Sequence, residues 1–135
     1  MRVVLDTNVL VSAMLGPGRV PDLLLTALFA RKVDVLYDAR IRAEYTDVVR
    51  RAKFRAIPVE RREQMLRDLL ALGTELTDVA PFSGVLADPD DRVFIEVALA
   101  GRADALITGN LKDYPTNLGF DVLPPATALA SIERA

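Results

Sequence analysis

Three acidic residues, Asp6, Glu44 and Asp91, hold positions from which carboxylates could converge on one site. Asp6 is the first residue after RVVL (2–5), an apolar, β-branched run typical of a buried parallel strand. Ligands of open parallel sheets bind beyond the carboxyl ends of the strands, so an acid at this point is a candidate functional residue. The alternative for Asp6 is an N-cap for a helix over TNVLVSAML (7–15).

Glu44 falls on the apolar face of a predicted helix over roughly 39–53, for which Asp38 is a suitable N-cap. The predicted apolar stripe of this helix consists of Ile41, Tyr45, Val48, Val49 and Ala52. Glu44 follows Ile41 by three residues and precedes Val48 by four, so it shares their face. An inward carboxylate is costly unless it is paired or bound to a cation. The alternative is a boundary position from which the side chain reaches solvent.

Asp91 is the last acid of DPDD (88–91), which begins another predicted helix. Acids in a first helical turn complement the helix dipole, so we assign Asp88 and Asp90 mainly to capping. Asp91 differs because it lies three, four and seven residues before apolar positions that must pack on the sheet, namely Phe94, Ile95 and Ala98. We therefore expect Asp91 to be a third inward acid.

A fourth group of polar residues, TGNLKDY (108–114), follows the buried strand predicted over DALIT (104–108). A turn built from Gly and Asn is the ordinary interpretation of this segment. Thr108, Asn110 and Asp113 could also contribute oxygen ligands or a hydroxyl that positions water.

Composition restricts the chemistry that such a cluster could perform. The chain has 135 residues, 51% of them hydrophobic and 27% charged, as expected of one globular domain spanning 1–135. It contains neither histidine nor cysteine, which excludes imidazole catalysis and thiolate zinc sites. Carboxylates alone favour Mg²⁺ or Mn²⁺, and the reaction that best uses them is metal-assisted hydrolysis of phosphodiesters.

Positive charge is concentrated in one part of a chain whose net charge is −2. Residues 40–67 contain nine Lys or Arg and four Asp or Glu, a net charge of +5 that leaves −7 for the remainder. This segment could hold a nucleic-acid backbone through Arg50, Arg51 and Lys53. The alternative is a solvated helix face.

The elements that must position these residues alternate along the chain. Strands are predicted at 2–5, 33–37, 75–79, 104–108 and 120–123. Further helices are predicted at 20–32, from Pro58 to a stop at Gly73, at 88–101 and at 124–135. This order indicates an α/β fold with a mostly parallel sheet of four to five strands. No apolar run approaches the length of a membrane span, and we expect a cytoplasmic protein.

Four stretches of this sequence resemble the PIN-domain family of metal-dependent nucleases, in particular its bacterial and archaeal toxin-like branch. In chain order they are VVLDTNVLVSA, RAEYTDVVRR, DPDDRVFIEVALAGRADALITGN and LKDYP. Their order and spacing agree with the family across nearly the whole chain. The opening DTN is moderately specific alone, and the four together are quite specific.

The resemblance implies a three-layer α/β/α fold and an endoribonuclease that depends on one or two Mg²⁺ or Mn²⁺ ions. Similar proteins commonly dimerise and act as the toxin of a type II toxin–antitoxin pair, silenced by an antitoxin encoded beside them. Carried over by position, the family acids are Asp6, Glu44 and Asp91. Asn8 and Ser12 match polar positions that follow the first acid.

The sequence departs from the family at the fourth acid. Many relatives have Asp where this chain has Asn110, and Asp113, three residues later, is the candidate replacement ligand. Three acids and an amide hold a second metal less well than four acids. The competing hypothesis is therefore a catalytically weak or inactive PIN-type module that binds RNA or a protein partner without cutting.

Overall fold

A five-stranded, all-parallel sheet forms the centre of the computed structural model, which describes residues 1–134. Its strands are β1 (Arg2–Leu5), β2 (Asp34–Asp38), β3 (Thr74–Leu76), β4 (Ala105–Ile107) and β5 (Asp121–Leu123). They lie in the order β3-β2-β1-β4-β5. Six helices flank the sheet: α1 (Thr7–Leu15), α2 (Val20–Ala30), α3 (Ala39–Val49), α4 (Val59–Leu72), α5 (Arg92–Ala100) and α6 (Pro125–Arg134). The predicted three-layer α/β/α fold is confirmed.

The central strand, β1, determines where a site can form. Val3 pairs with Val35 of β2 on one side and with Ala105 of β4 on the other. The chain builds the sheet outward from β1 to β3 and then returns to place β4 against the opposite edge of β1. The order therefore reverses between β1 and β4, and crevices for ligands form at such switch points in open sheets.

The core explains why these segments adopt their conformations. All three apolar residues of Val3–Leu5 are fully buried, as expected of a strand covered on both faces. Tyr45 of α3 is also fully buried, and its hydroxyl donates a hydrogen bond to the carbonyl of Leu5 at 2.5 Å. This bond holds the middle of α3 against the carboxyl end of β1.

The helix predicted over 39–53 is shorter than expected. α3 ends at Val49, a 3-10 turn covers Ala52–Phe54, and Ala52 is exposed while Phe54 is buried. The buried guanidinium of Arg62 explains this end, because it donates hydrogen bonds to the carbonyls of Val49 and Ile57. A side chain of α4 thus donates to the Val49 carbonyl the hydrogen bond that a backbone N–H of a further helical turn would otherwise have donated.

Other boundaries differ by a few residues. The strand expected at 75–79 occupies Thr74–Leu76, because Asp78 takes a left-handed conformation with φ of 56°. The helix expected at 20–32 ends at Ala30, and Lys32 is also left-handed with φ of 51°. The helix expected at 88–101 begins as a 3-10 turn over Pro89–Asp91. The terminal helix ends at Arg134, and Ala135 lies outside the described residues.

Among residues 1–134, no single helix is both long enough and apolar enough to cross a membrane. α1 and α2 reach that length only as a pair, and the pair is bent by 109°.

The close approach of α4 to β2 at Gly73 gives a test of the packing. A Cβ atom at Gly73 would lie 2.0 Å from the carbonyl oxygen of Val35, which neither backbone can accommodate without shifting. We expect Gly73→Ala to lower the free energy of unfolding by about 2–3 kcal/mol in urea denaturation, in the range of other overpacking changes. Gly109→Ala is the control, because its Cβ would make only ordinary contacts. Equal stability of the two variants would contradict this packing.

Candidate functional site

An open pocket at the carboxyl end of β1 gathers acidic side chains from distant parts of the chain. Its acidic lining consists of Asp6, Glu44, Asp88, Asp90, Asp91 and Asp113. The other lining residues are Thr7, Asn8, Val48, Arg51, Phe94 and Asn110. The three acids singled out from the sequence are thus placed around one pocket, at the switch point of the sheet.

Asp6 combines the two roles that its sequence position allowed. It caps α1, because its Oδ1 accepts a hydrogen bond from the backbone N–H of Asn8 at 3.3 Å. It also lines the pocket with only 6% of its surface exposed. Its Oδ2 accepts two further bonds, from the hydroxyls of Thr108 at 3.0 Å and Tyr114 at 2.8 Å. The carboxylate is therefore held in one orientation.

Thr108 and Asn8 connect the start of α1 to the loop that follows β4. The fully buried Thr108 hydroxyl accepts hydrogen bonds from Nδ2 of Asn8 at 3.2 Å and from the backbone N–H of Asn110 at 3.0 Å. The N–H of Gly109 donates to Oδ1 of Asn8 at 2.9 Å. Because it is buried, Thr108 supports Asp6 and does not face the pocket. Asn110 is exposed and lines the rim.

Glu44 enters the pocket from α3. That helix begins where the Asp38 carboxylate accepts the N–H of Ile41 at 3.0 Å. Glu44 is half-buried, between the interior stripe and the solvent face of the helix. Its Oε2 accepts a hydrogen bond from the hydroxyl of Thr7. The hydroxyl of the DTN motif thus orients the second acid, just as hydroxyls orient the first.

Asp91 shows the electrostatic strain of the pocket. It is 8% exposed, and the pKa of its carboxyl is raised from 3.8 to about 7, with burial as the largest cause. The negative charges of Asp6, Asp88, Asp113 and Glu44 supply the rest of this rise. Near neutral pH the pocket therefore favours a bound proton, or another positive charge, at Asp91.

Tyr114 is the principal residue that the sequence analysis missed. It is 6% exposed, and burial together with the charge of Asp6 raises the pKa of its phenol far above the ordinary value. The phenol therefore stays neutral and donates a hydrogen bond to Asp6. Asp88 and Asp90, assigned from the sequence to capping, also line the pocket. Asp88 caps as well, through the N–H of Asp90 at 3.0 Å.

The remaining candidates separate into residues at the pocket and residues away from it. Asp113 lines the pocket, whereas Ser12 is exposed on α1 and is not part of the lining. Arg50 is paired with Glu63 at 2.7 Å, and the Lys53 ammonium lies 5.2 Å from the centroid of the Phe54 ring. Arg51 pairs with Asp47 at 3.1 Å, and in the part of the chain that is described it is the one cationic side chain lining the acidic pocket.

The side chains that line the pocket have the chemistry that a hard divalent cation prefers, but their spacing does not match one ion. The acidic, hydroxyl and amide side chains of the pocket offer oxygen, the ligand preferred by Mg²⁺ and Mn²⁺. Within residues 1–134, however, no three Asp or Glu side chains are grouped closely enough to hold one ion. Binding of a cation by Asp6, Glu44 and Asp91 would therefore require their side chains to move inward.

Comparison with known proteins agrees with the geometry. A family model described as PIN domain matches residues 2–112. Among solved structures, VapBC2 from Rickettsia felis bound to a DNA fragment from their promoter contains a chain that is 18% identical to this one, with a TM-score of 0.63. The match covers 92% of this chain and 98% of that chain, and at this identity it shows a shared fold. No curated protein matches this sequence.

The raised pKa of Asp91 predicts how the stability of the metal-free protein depends on pH. The folded state binds this proton more tightly than the unfolded chain, so its contribution is fully present below about pH 4 and is lost as pH rises through about 7. Asp91→Asn removes the charge, and in EDTA at pH 8 we expect it to raise the melting temperature by roughly 4 °C or more.

The same comparison at pH 4, where wild-type Asp91 is protonated, is the internal control for this substitution. There the gain in melting temperature should largely disappear. A gain of equal size at pH 4 and pH 8 would show that the charge of Asp91 is not its cause.

Proposed function

The chain belongs to the PIN-domain family, and from this premise we propose that it is a metal-dependent endoribonuclease that hydrolyses RNA phosphodiester bonds. The observation that carries the proposal is the convergence of Asp6, Glu44 and Asp91 on one pocket at the switch point of the sheet. The pKa of Asp91, raised to about 7 by burial and by the neighbouring acids, supports it because a cation would offset the charge of these acids.

In this proposal Asp6, Glu44 and Asp91 are the catalytic acids and hold one or two Mg²⁺ or Mn²⁺ ions, with Asp113 as an additional ligand. When bound, such an ion supplies positive charge that activates water and offsets the charge of a scissile phosphate. The hydroxyls of Thr108 and Tyr114 keep the Asp6 carboxylate oriented, and that of Thr7 orients Glu44.

Arg51 is the residue that we propose binds the substrate backbone. It lies at the pocket, and its partner Asp47 is exposed, so an RNA phosphate can displace that partner at little cost. Arg50 and Lys53 lie in the same basic segment but already contact Glu63 and the Phe54 ring. We therefore place any contribution from them at the periphery of the RNA.

We further propose that the protein is the toxin of a toxin–antitoxin pair, acts in the cytoplasm, dimerises and is held inactive by a small antitoxin protein. The support is the toxin-like pattern of its motifs and the fold shared with a chain of VapBC2, which was crystallised with promoter DNA. A reading frame for a small protein beside the gene is the first observation to seek.

A second candidate function is a PIN-type module of little or no catalytic activity that binds RNA or a protein. Two observations favour it. Asn110 stands at the rim where many relatives have an acid, and no three acids of residues 1–134 are grouped to hold one ion. Binding of RNA without cleavage in either Mg²⁺ or Mn²⁺ would support this candidate.

RNA cleavage tests the proposed reaction directly. Purified protein incubated with structured and single-stranded RNA should cleave in Mn²⁺ or Mg²⁺ and not in EDTA. Asp6→Asn keeps the size and the hydrogen-bonding oxygen of the side chain but removes its charge. We expect it to lower the cleavage rate by roughly 100-fold or more, because even changes to residues that support a metal ligand cost ~10–100-fold.

Asp68→Asn is a matched control, since it removes an exposed carboxylate of α4 outside the pocket lining. Its cleavage rate should stay close to that of the wild type. A DNA oligonucleotide of the same sequence shows whether the activity is confined to RNA. Cleavage that persists in EDTA or is equal in Asp6→Asn would contradict the proposed reaction.

RNA affinity separates the role of Arg51 from that of Arg50. In an Asp6→Asn background, which prevents cleavage, Arg51→Ser should weaken RNA binding and reduce the slope of log affinity against log salt by about 1. Arg50→Ser removes the same charge from a side chain already paired with Glu63 and should leave the slope nearly unchanged. Fluorescence anisotropy at several salt concentrations measures both slopes, and equal slopes would remove Arg51 from the substrate site.

A further inference from the structure

Glu96 of α5 is a buried carboxylate to which the proposed reaction assigns no role. Only 4% of its surface is exposed. One oxygen pairs with Nη1 of Arg40 at 2.7 Å, and the other accepts the backbone N–H of Phe82 at 2.8 Å. The carboxylate therefore connects α5, α3 and the loop between β3 and α5.

The pair formed by Arg40 and Glu96 joins α3, which carries Glu44, to α5, which begins directly after Asp91. Arg40 lies one turn before Glu44 on α3, so both side chains leave the same face of that helix. Glu96 lies five residues after Asp91, about 1.4 helical turns along the chain. Arg40 also pairs with Asp38, the N-cap of α3, at 2.7 Å. The cross-link therefore lies within about one and a half helical turns of both acids along the chain.

The contact with Phe82 extends this connection to the loop that leads to Asp88. Arg92 of α5 donates hydrogen bonds to the carbonyl of Phe82 and, at 3.0 Å, to that of Gly84. The N–H and C=O of Phe82 are thus both held by side chains of α5. Asp88 and Asp90 line the pocket and follow this loop in the sequence. The loop is therefore tied at Phe82 to α5, the helix that begins directly after Asp91.

Stability alone is a weak reason for such a pair, because a buried ion pair often contributes no more than apolar residues of similar volume. Arg40 is also half exposed, which screens its attraction for Glu96. What this planar guanidinium does provide is a defined geometry between two carboxylates, Asp38 and Glu96.

We propose that Glu96 is a positioning residue that, through Arg40 and Phe82, fixes the separation of Glu44 and Asp91 and the path of the loop into Asp88. We expect this positioning to raise the affinity of the pocket for a divalent cation, and this consequence rests on the proposed function. The connection itself is a property of the metal-free protein.

The test compares Glu96→Leu with Glu75→Leu. Glu75 is the matched control, since it also pairs with an arginine of α3, Arg42 at 2.6 Å, but on the exposed side of the protein and away from the pocket. Amide hydrogen exchange, followed by NMR without metal, reports the positions of the loop and the helices. Calorimetry with MnCl₂ reports the affinity of the pocket.

For Glu96→Leu we expect at least tenfold faster exchange at Phe82 and Asp91, and at least a tenfold higher dissociation constant for Mn²⁺. Glu75→Leu should change neither. Glu96→Gln keeps the volume and one acceptor and should shift both measurements in the same direction by at least threefold, so the test also holds if the leucine variant does not fold.

Unchanged exchange at Asp91 in both Glu96 variants would overturn the inference. Faster exchange at Phe82 with unchanged Mn²⁺ affinity would also overturn it, since Glu96 would then only fasten the loop. If the wild type binds no Mn²⁺, the metal part of the proposed function fails separately, and exchange at Asp91 alone decides whether Glu96 positions this acid.

Discussion

Repulsion between carboxylates that share one pocket is the constraint that the surrounding structure must meet. The fold creates this crowding, because β1 and β4 end side by side at the switch point and α3 and α5 bring further acids to the same place. Asp91, buried among these charges, has its pKa raised to about 7. Near neutral pH, a proton or a cation at such a site relieves part of this repulsion.

Neutral hydrogen-bond donors hold Asp6 and Glu44 in place without cancelling their charge. Thr108, Tyr114 and Thr7 donate hydroxyl hydrogen bonds to Asp6 and Glu44. Arginine is used mainly behind the pocket, where Arg40 joins α3 to α5 and Arg62 ends α3. The pocket therefore remains acidic.

Much of the fold and the placement of three acids could be predicted from the sequence, because both follow from local patterns. Strand and helix periodicity places Asp6 after a buried strand and puts Glu44 and Asp91 on inward faces, and parallel topology brings them together. Contacts between residues far apart in sequence leave no such pattern. The bond from Tyr114 to Asp6 spans 108 positions and that from Arg40 to Glu96 spans 56. The early end of α3 likewise depends on Arg62, a residue of another helix.

Binding of Mn²⁺ to the metal-free protein at pH 8 tests the central claim most directly, because it measures whether the acidic pocket takes up the positive charge that its electrostatics require. Titration calorimetry of the wild type should show saturable binding of one or two ions, and Asp6→Asn should weaken that binding by roughly 10-fold or more. Absence of saturable binding, or equal binding by Asp6→Asn, would contradict the account.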